Sequence, residues 1–166
     1  MNLEELQALA TDRAKGLDRP DLDSLMDEIR GYLSVGQYLP PTVDYEKPNT
    51  IRKAQVALAK MERHLDIIVP LHHDAKRTLQ IIASVEYQLT GALIRAGVIP
   101  EKASGPVRDH HLSAAVPKLG HVKLRWMALD KICTQAQQRM ASARDSIKLQ
   151  AKLDDNLRWA QERVPG

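Results

Sequence analysis

Phenylalanine is absent from the 166 residues, and the remaining aromatics are two Trp and four Tyr, 4% of the chain. So few flat faces exclude a surface that stacks many bases, such as an RRM sheet or an OB barrel. A single cysteine, Cys133, excludes an internal disulfide framework and a cysteine-based zinc cluster. No apolar run approaches the roughly 20 residues that a membrane-spanning helix needs. The opening Met-Asn-Leu-Glu-Glu lacks the order of a secretory signal. Phosphate-loop, dinucleotide, nucleophile-elbow, zincin and EF-hand patterns are also missing. These absences predict a non-enzymatic protein of a reducing compartment, the cytoplasm, with no metal, no cofactor and no membrane partner.

What is present is charge, and it is unevenly placed. The chain carries 24 Lys and Arg against 21 Asp and Glu, a formal net charge of +3. Residues 1–46 hold four bases against ten acids, whereas residues 47–152 hold eighteen bases against eight acids. The last fourteen residues hold two bases against three acids. An acidic head on a basic body points to a polyanion partner for the body and a different contact for the head. The plainer reading is that both are solvated helix faces.

Periodicity makes the fold all-α. A first helix is predicted from Leu3 to Lys15, with Asn2 and Glu5 as a capping box and Gly16 as its stop. A second starts at Asp21 behind Pro20, with Leu22, Leu25, Met26 and Ile29 at helical spacing. Ser34 to Pro48 reads as a loop, broken by Gly36 and three prolines and pinned by Tyr38 and Tyr45. Asn49 or Thr50 caps a third helix, whose apolar residues Ile51, Ala54, Leu58, Met61, Leu65 and Ile68 step by three and four. Pro70 either kinks this helix or starts a new one, which runs to Gly97 and Pro100. Glu101 to Pro106 reads as a polar turn. The division expected is an acidic helical head over 1–33, a linker over 34–48 and a basic helical hairpin over 49–166.

The last element carries the longest pattern. Leu119, Val122, Trp126, Leu129, Cys133, Ala136, Met140, Ala143 and Ile147 follow one another by alternating steps of three and four. Such a repeat predicts coiled-coil packing in a long antiparallel hairpin, broken at Gln150. Because Ala and Cys alternate with larger residues, each layer buries little, and a homo-oligomer is the expected remedy. Trp126, Leu129, Cys133, Met140 and Ile147 are the oligomerisation candidates. The competing arrangement is an ordinary helical bundle within one chain.

Two His pairs, His72-His73 and His110-His111, invite a metal. Adjacent helical residues point about 100° apart, however, and metal binding on one face wants ligands three or four apart. Partly buried or surface histidines are the better reading. Cys133 lies in the seam, with no His within two turns, and packs rather than reacts. The cations form the stronger case. Lys53, Lys60 and Arg63 lie on one flank of the third helix, followed by Lys76 and Arg77 and then Arg95. Lys123, Arg125, Lys131, Arg139, Arg144 and Lys148 add to them from the long helix. Cations spaced in this way follow a phosphate backbone without reading bases.

The stretch VPKLGHVKLRWMALDKICTQA from Val116 to Ala136, with Met140, Ser142, Ile147 and Lys148 beyond it, resembles the C-terminal helix of the UvsY-like phage recombination mediators. Leu112-Ser-Ala-Ala fills the lead-in to that helix, and the opening Leu3-Glu4-Glu5-Leu6-Gln7 is similar to the family's start. The specific likeness spans residues 112–148. It implies a helical homo-oligomeric ring that binds single-stranded DNA and loads a RecA-like recombinase onto strands covered by a single-strand binding protein. It also implies the cytoplasm of a phage's host and DNA contacts through cations of the middle region, here Lys53, Lys60, Arg63, Lys76 and Arg77. The alternatives are a structural helical adaptor of a virion and a regulatory hairpin that binds one host enzyme, neither with a DNA-binding role.

Overall fold

The computed structural model describes residues 1–33 and 49–163; the side chains of 49–55, 58, 150, 151, 153, 154 and 157 lie outside that description. The described residues form five helices and no strand: α1 (Leu3–Leu17), α2 (Leu22–Tyr32), α3 (Asn49–Arg95), α4 (Gly105–Ala115) and α5 (Pro117–Glu162). The expected loop over 34–48, with Tyr38 and Tyr45, lies outside the described residues. So do the side chains of Asn49, Thr50 and Gln150.

Local chemistry sets most helix ends. The Asn2 side chain accepts from the Glu5 N–H at 2.8 Å, and the Glu5 carboxylate accepts from the Asn2 N–H at 3.0 Å, so the capping box is complete. Gly16 does not stop α1. The helix continues to Leu17, and the Asp18 N–H closes it on the carbonyls of Ala14 and Lys15. At the end of α3, Gly97 adopts φ 77°, with its N–H on the Ile94 carbonyl and the Val98 N–H on that of Leu93. That pair of bonds is the Schellman closure, which needs a left-handed residue. Gly97→Ala would place a Cβ in that conformation. The expected cost is about 1–2 kcal/mol, read as a lower denaturation midpoint with an unchanged helix signal.

Pro70 interrupts nothing, because α3 is one helix of 47 residues with Pro70 inside it. The proline ring removes the donor for the Asp66 carbonyl. Asp66 and Pro70 are both exposed. The predicted turn from Glu101 to Pro106 is shorter than expected. Ser104 takes the N-cap position of α4, and Pro106 sits in its first turn.

The backbone divides into two compact units, Met1–Met26 with His72–Lys131, and Asp27–Leu71 with Ile132–Gly166. These ranges differ from the 1–33, 34–48 and 49–166 expected from charge. In the first unit α3 and α5 run antiparallel, joined by His72 to Asp130 and by Glu86 to Lys123. Its interior includes Leu22, Ile82, Leu89, Leu93, Val122 and Leu129, each at most 1% exposed. The α1 helix packs into this unit through Ala10 and Ala14, whose small side chains allow close approach. In the second unit Ile29, Met61, Ile68, Cys133, Ala136, Met140 and Ile147 are buried. The Tyr32 ring at the end of α2 stacks on His64 of α3 at 3.8 Å, and Arg139 of α5 donates to the Leu33 carbonyl at 3.1 Å.

Candidate nucleic-acid interface

The cations divide into two groups. Lys60 and Arg63, three residues apart on α3 in the second unit, are exposed and make no ion pair with any described residue. Lys76 and Arg77, on α3 in the first unit, share both properties. Lys53 belongs to the same helix, but its side chain lies outside the described residues.

The cations of early α5 are committed inside the fold. Lys118 donates to Asp18 at 2.7 Å, Arg125 donates to the same carboxylate, and Lys123 reaches Glu86 at 2.8 Å. Arg125 also donates to the Arg19 carbonyl at 3.3 Å and lies 3.6 Å from Asp23. Hence Lys123 and Arg125, counted from the sequence among the cations that follow a phosphate backbone, are turned to partners within the first unit. Acids of the head therefore neutralise bases of the body. The first unit carries twelve bases against eleven acids and the second twelve against ten, so neither repeats the imbalance seen along the sequence.

Non-local bonds seat the segment after α1. Trp126 donates its indole N–H to the Leu17 carbonyl at 2.9 Å, and Gln7 donates to the Ala115 carbonyl at 3.4 Å. These contacts join residues more than 100 positions apart, which no local sequence pattern announces. Trp126, Leu129, Cys133, Met140 and Ile147 are 5%, 0%, 0%, 0% and 4% exposed within the single chain.

His72 is 8% exposed, and its Nε2 stands 2.9 Å from Asp130 Oδ1, so one member of the first His pair makes a buried polar link between α3 and α5. Its neighbour His73 is exposed. The His110 and His111 rings meet edge to face at 5.8 Å. No group of three or more His, Cys, Asp or Glu among the described residues is arranged to hold a metal. No helix among the described residues is long and apolar enough to cross a membrane.

Among the described residues, Asp18 and His64 link stability to acid pH. The hydrogen bond from Lys118, aided by the charges of Lys118 and Arg125, holds the Asp18 carboxyl below its ordinary 3.8. Burial, and then the nearby Lys60 charge, hold His64 below 6.5. In both cases the unfolded chain takes up the proton first as pH falls, so acid favours unfolding. Stability is expected to fall below pH 6.5 through His64 and to fall again below pH 3.8 through Asp18. Urea midpoints across pH will show both steps. His64→Gln removes the first and Asp18→Asn the second. The Tyr32 hydroxyl, bonded to Glu28 and partly buried, is pushed up to about 12 and stays protonated throughout.

In comparisons with known proteins, no family model, curated protein or solved structure matches the chain.

Proposed function

We propose that this all-α protein binds single-stranded DNA through its phosphate backbone and acts, without catalysis, as a recombination mediator. One observation carries the binding: Lys60, Arg63, Lys76 and Arg77 are exposed and unengaged by any described carboxylate, while Lys118, Lys123 and Arg125 are tied down. Cations held by the protein's own acids release no counterions from DNA; free ones do. The mediator role rests on the likeness of residues 112–148 to the UvsY-like family. In this reading a homo-oligomeric ring engages several stretches of one strand, and effective concentration raises the affinity. The strand is then handed from a single-strand binding protein to a RecA-like recombinase.

Assembly in this proposal uses surfaces other than the buried seam. Leu124 and Met127 of the first unit are 66% and 46% exposed, and Leu149 and Trp159 of the second are 60% and 57% exposed. Apolar groups left in water at that level suit contact with another chain. The same observation favours the second reading, a helical adaptor or protein-interaction module without DNA, since each unit is close to charge balance.

Fluorescence anisotropy with labelled oligo-dT across a salt series separates the two. The mediator reading expects binding at low salt that weakens linearly with the logarithm of salt concentration. Absence of binding at low salt leaves the adaptor.

A further inference from the structure

A groove in the first compact unit, about 770 Å³ in volume, is lined by α3 and α4 together with Met1 and Leu6. Tyr87, Gly91 and Arg95 follow one another at four-residue intervals on its α3 wall, which places them on one side of the helix. The Tyr87 side chain is 83% exposed, whereas Tyr32 stacks on His64. Gly91 supplies no side chain, and the Arg95 guanidinium folds back over it, with Nη1 3.4 Å from where a Cβ would stand. Arg95 makes no ion pair with any described residue.

From α4, Arg108 enters the lining. Its Nη2 reaches the Glu101 carbonyl at 3.3 Å, but its Nε is buried without a hydrogen-bond partner among the described residues. Two carboxylates share the groove. Lys123 neutralises Glu86, which leaves the exposed Asp109 as the one uncompensated acid of the lining, against two guanidinium groups.

We infer that this groove binds a nucleotide, its base stacked on Tyr87 and its phosphate held by Arg95 and Arg108. The chemistry is specific to a ligand that is flat at one end and anionic at the other. An exposed ring offers stacking to any base, and planar guanidinium groups pair with phosphate oxygens by paired N–H donors. Tyr87 and Arg95 are eight residues apart, about 12 Å along the helix axis, a separation that a nucleotide and an arginine side chain together span. Over Gly91, between the two positions, lies the Arg95 guanidinium. As a subsite of the single-strand binding proposed above, the inference rests on that reading. It adds a stacking position to a surface otherwise made of charge.

The test titrates labelled oligo-dT into the full chain and competes it with thymidine 5′-monophosphate. Tyr87→Ala should weaken oligo-dT binding about tenfold, and replacing Arg95 and Arg108 together by Gln should lower the salt slope by about 0.7. Gly91→Leu provides the control for folding, since leucine favours the helix over glycine while filling the groove floor. It should keep the helix signal in circular dichroism and lose affinity. If the wild type binds oligo-dT and both Tyr87→Ala and Gly91→Leu bind equally well, the groove is overturned while the strand-binding reading stands. If oligo-dT fails but the monophosphate binds in a Tyr87-dependent way, the site holds for a free nucleotide and strand binding falls. If neither ligand binds, both fall.

Discussion

Trp126→Ala is expected to cost about 3–5 kcal/mol of stability, with a fall in thermal midpoint on the order of 10 °C for a chain of this size. Two losses combine. The indole is 5% exposed, so truncation opens a cavity in the first unit that its rigid helices fill poorly. Its N–H also supplies the hydrogen bond to the Leu17 carbonyl, which closes the segment leaving α1. With that bond gone, the carbonyl beside the Asp18 cluster loses its donor. Circular dichroism melts at several protein concentrations will check the result and its origin. Because Trp126 is satisfied within one chain, the drop should be independent of concentration; a concentration-dependent drop would place Trp126 between chains instead. Trp159→Ala, at a ring 57% exposed, should change stability by about 0.5 kcal/mol or less.

The second large effect concerns DNA. Replacing Lys60, Arg63, Lys76 and Arg77 together by Gln should reduce the slope of log affinity against log salt by about 2.8, roughly 0.7 for each phosphate contact with a single strand. At low salt the accompanying loss of affinity should be about a hundredfold or more. Stability should change little, since the four side chains are exposed and free of described ion pairs. Neutralising Lys118 and Arg125 should do the reverse. Their charges already face Asp18, so the salt slope should hold while the fold loosens. An unchanged slope in the fourfold variant would remove these residues from the DNA path.

Local signals were readable along the chain, and non-local ones were not. Asn2 and Glu5 form their box as their spacing predicts, because a capping box is complete within four residues. The apolar steps from Leu119 to Ile147 each locate a buried side chain, because helical periodicity reports which face leaves water. The same steps are silent about what covers that face, since an intrachain partner and a second chain impose one pattern. Gly16 read as a stop, yet α1 runs past it, a single glycine costing less than the bonds at Asp18 return. The α4 helix escaped notice because Val107, Leu112 and Val116 are too few to show a period, although Ser104 and Pro106 mark its start. Asp18 seemed one surface acid among ten. Its role depends on Lys118 and Arg125, about a hundred residues away, which only the folded chain brings together. Tyr87 in the groove was equally silent, because an exposed ring at a helix surface has no signature beyond its failure to fit the apolar stripe.

The scarcity of aromatic rings gives the molecule two built-in optical reporters. Each compact unit contains one tryptophan: Trp126 in the first and Trp159 in the second. The first indole is enclosed, and the second is in water with the Arg163 guanidinium 4.0 Å above its ring. Their emission therefore differs in wavelength and in access to a soluble quencher, and either one alone follows the unit that holds it. An unlabelled chain can thus show whether its two halves melt together or in turn.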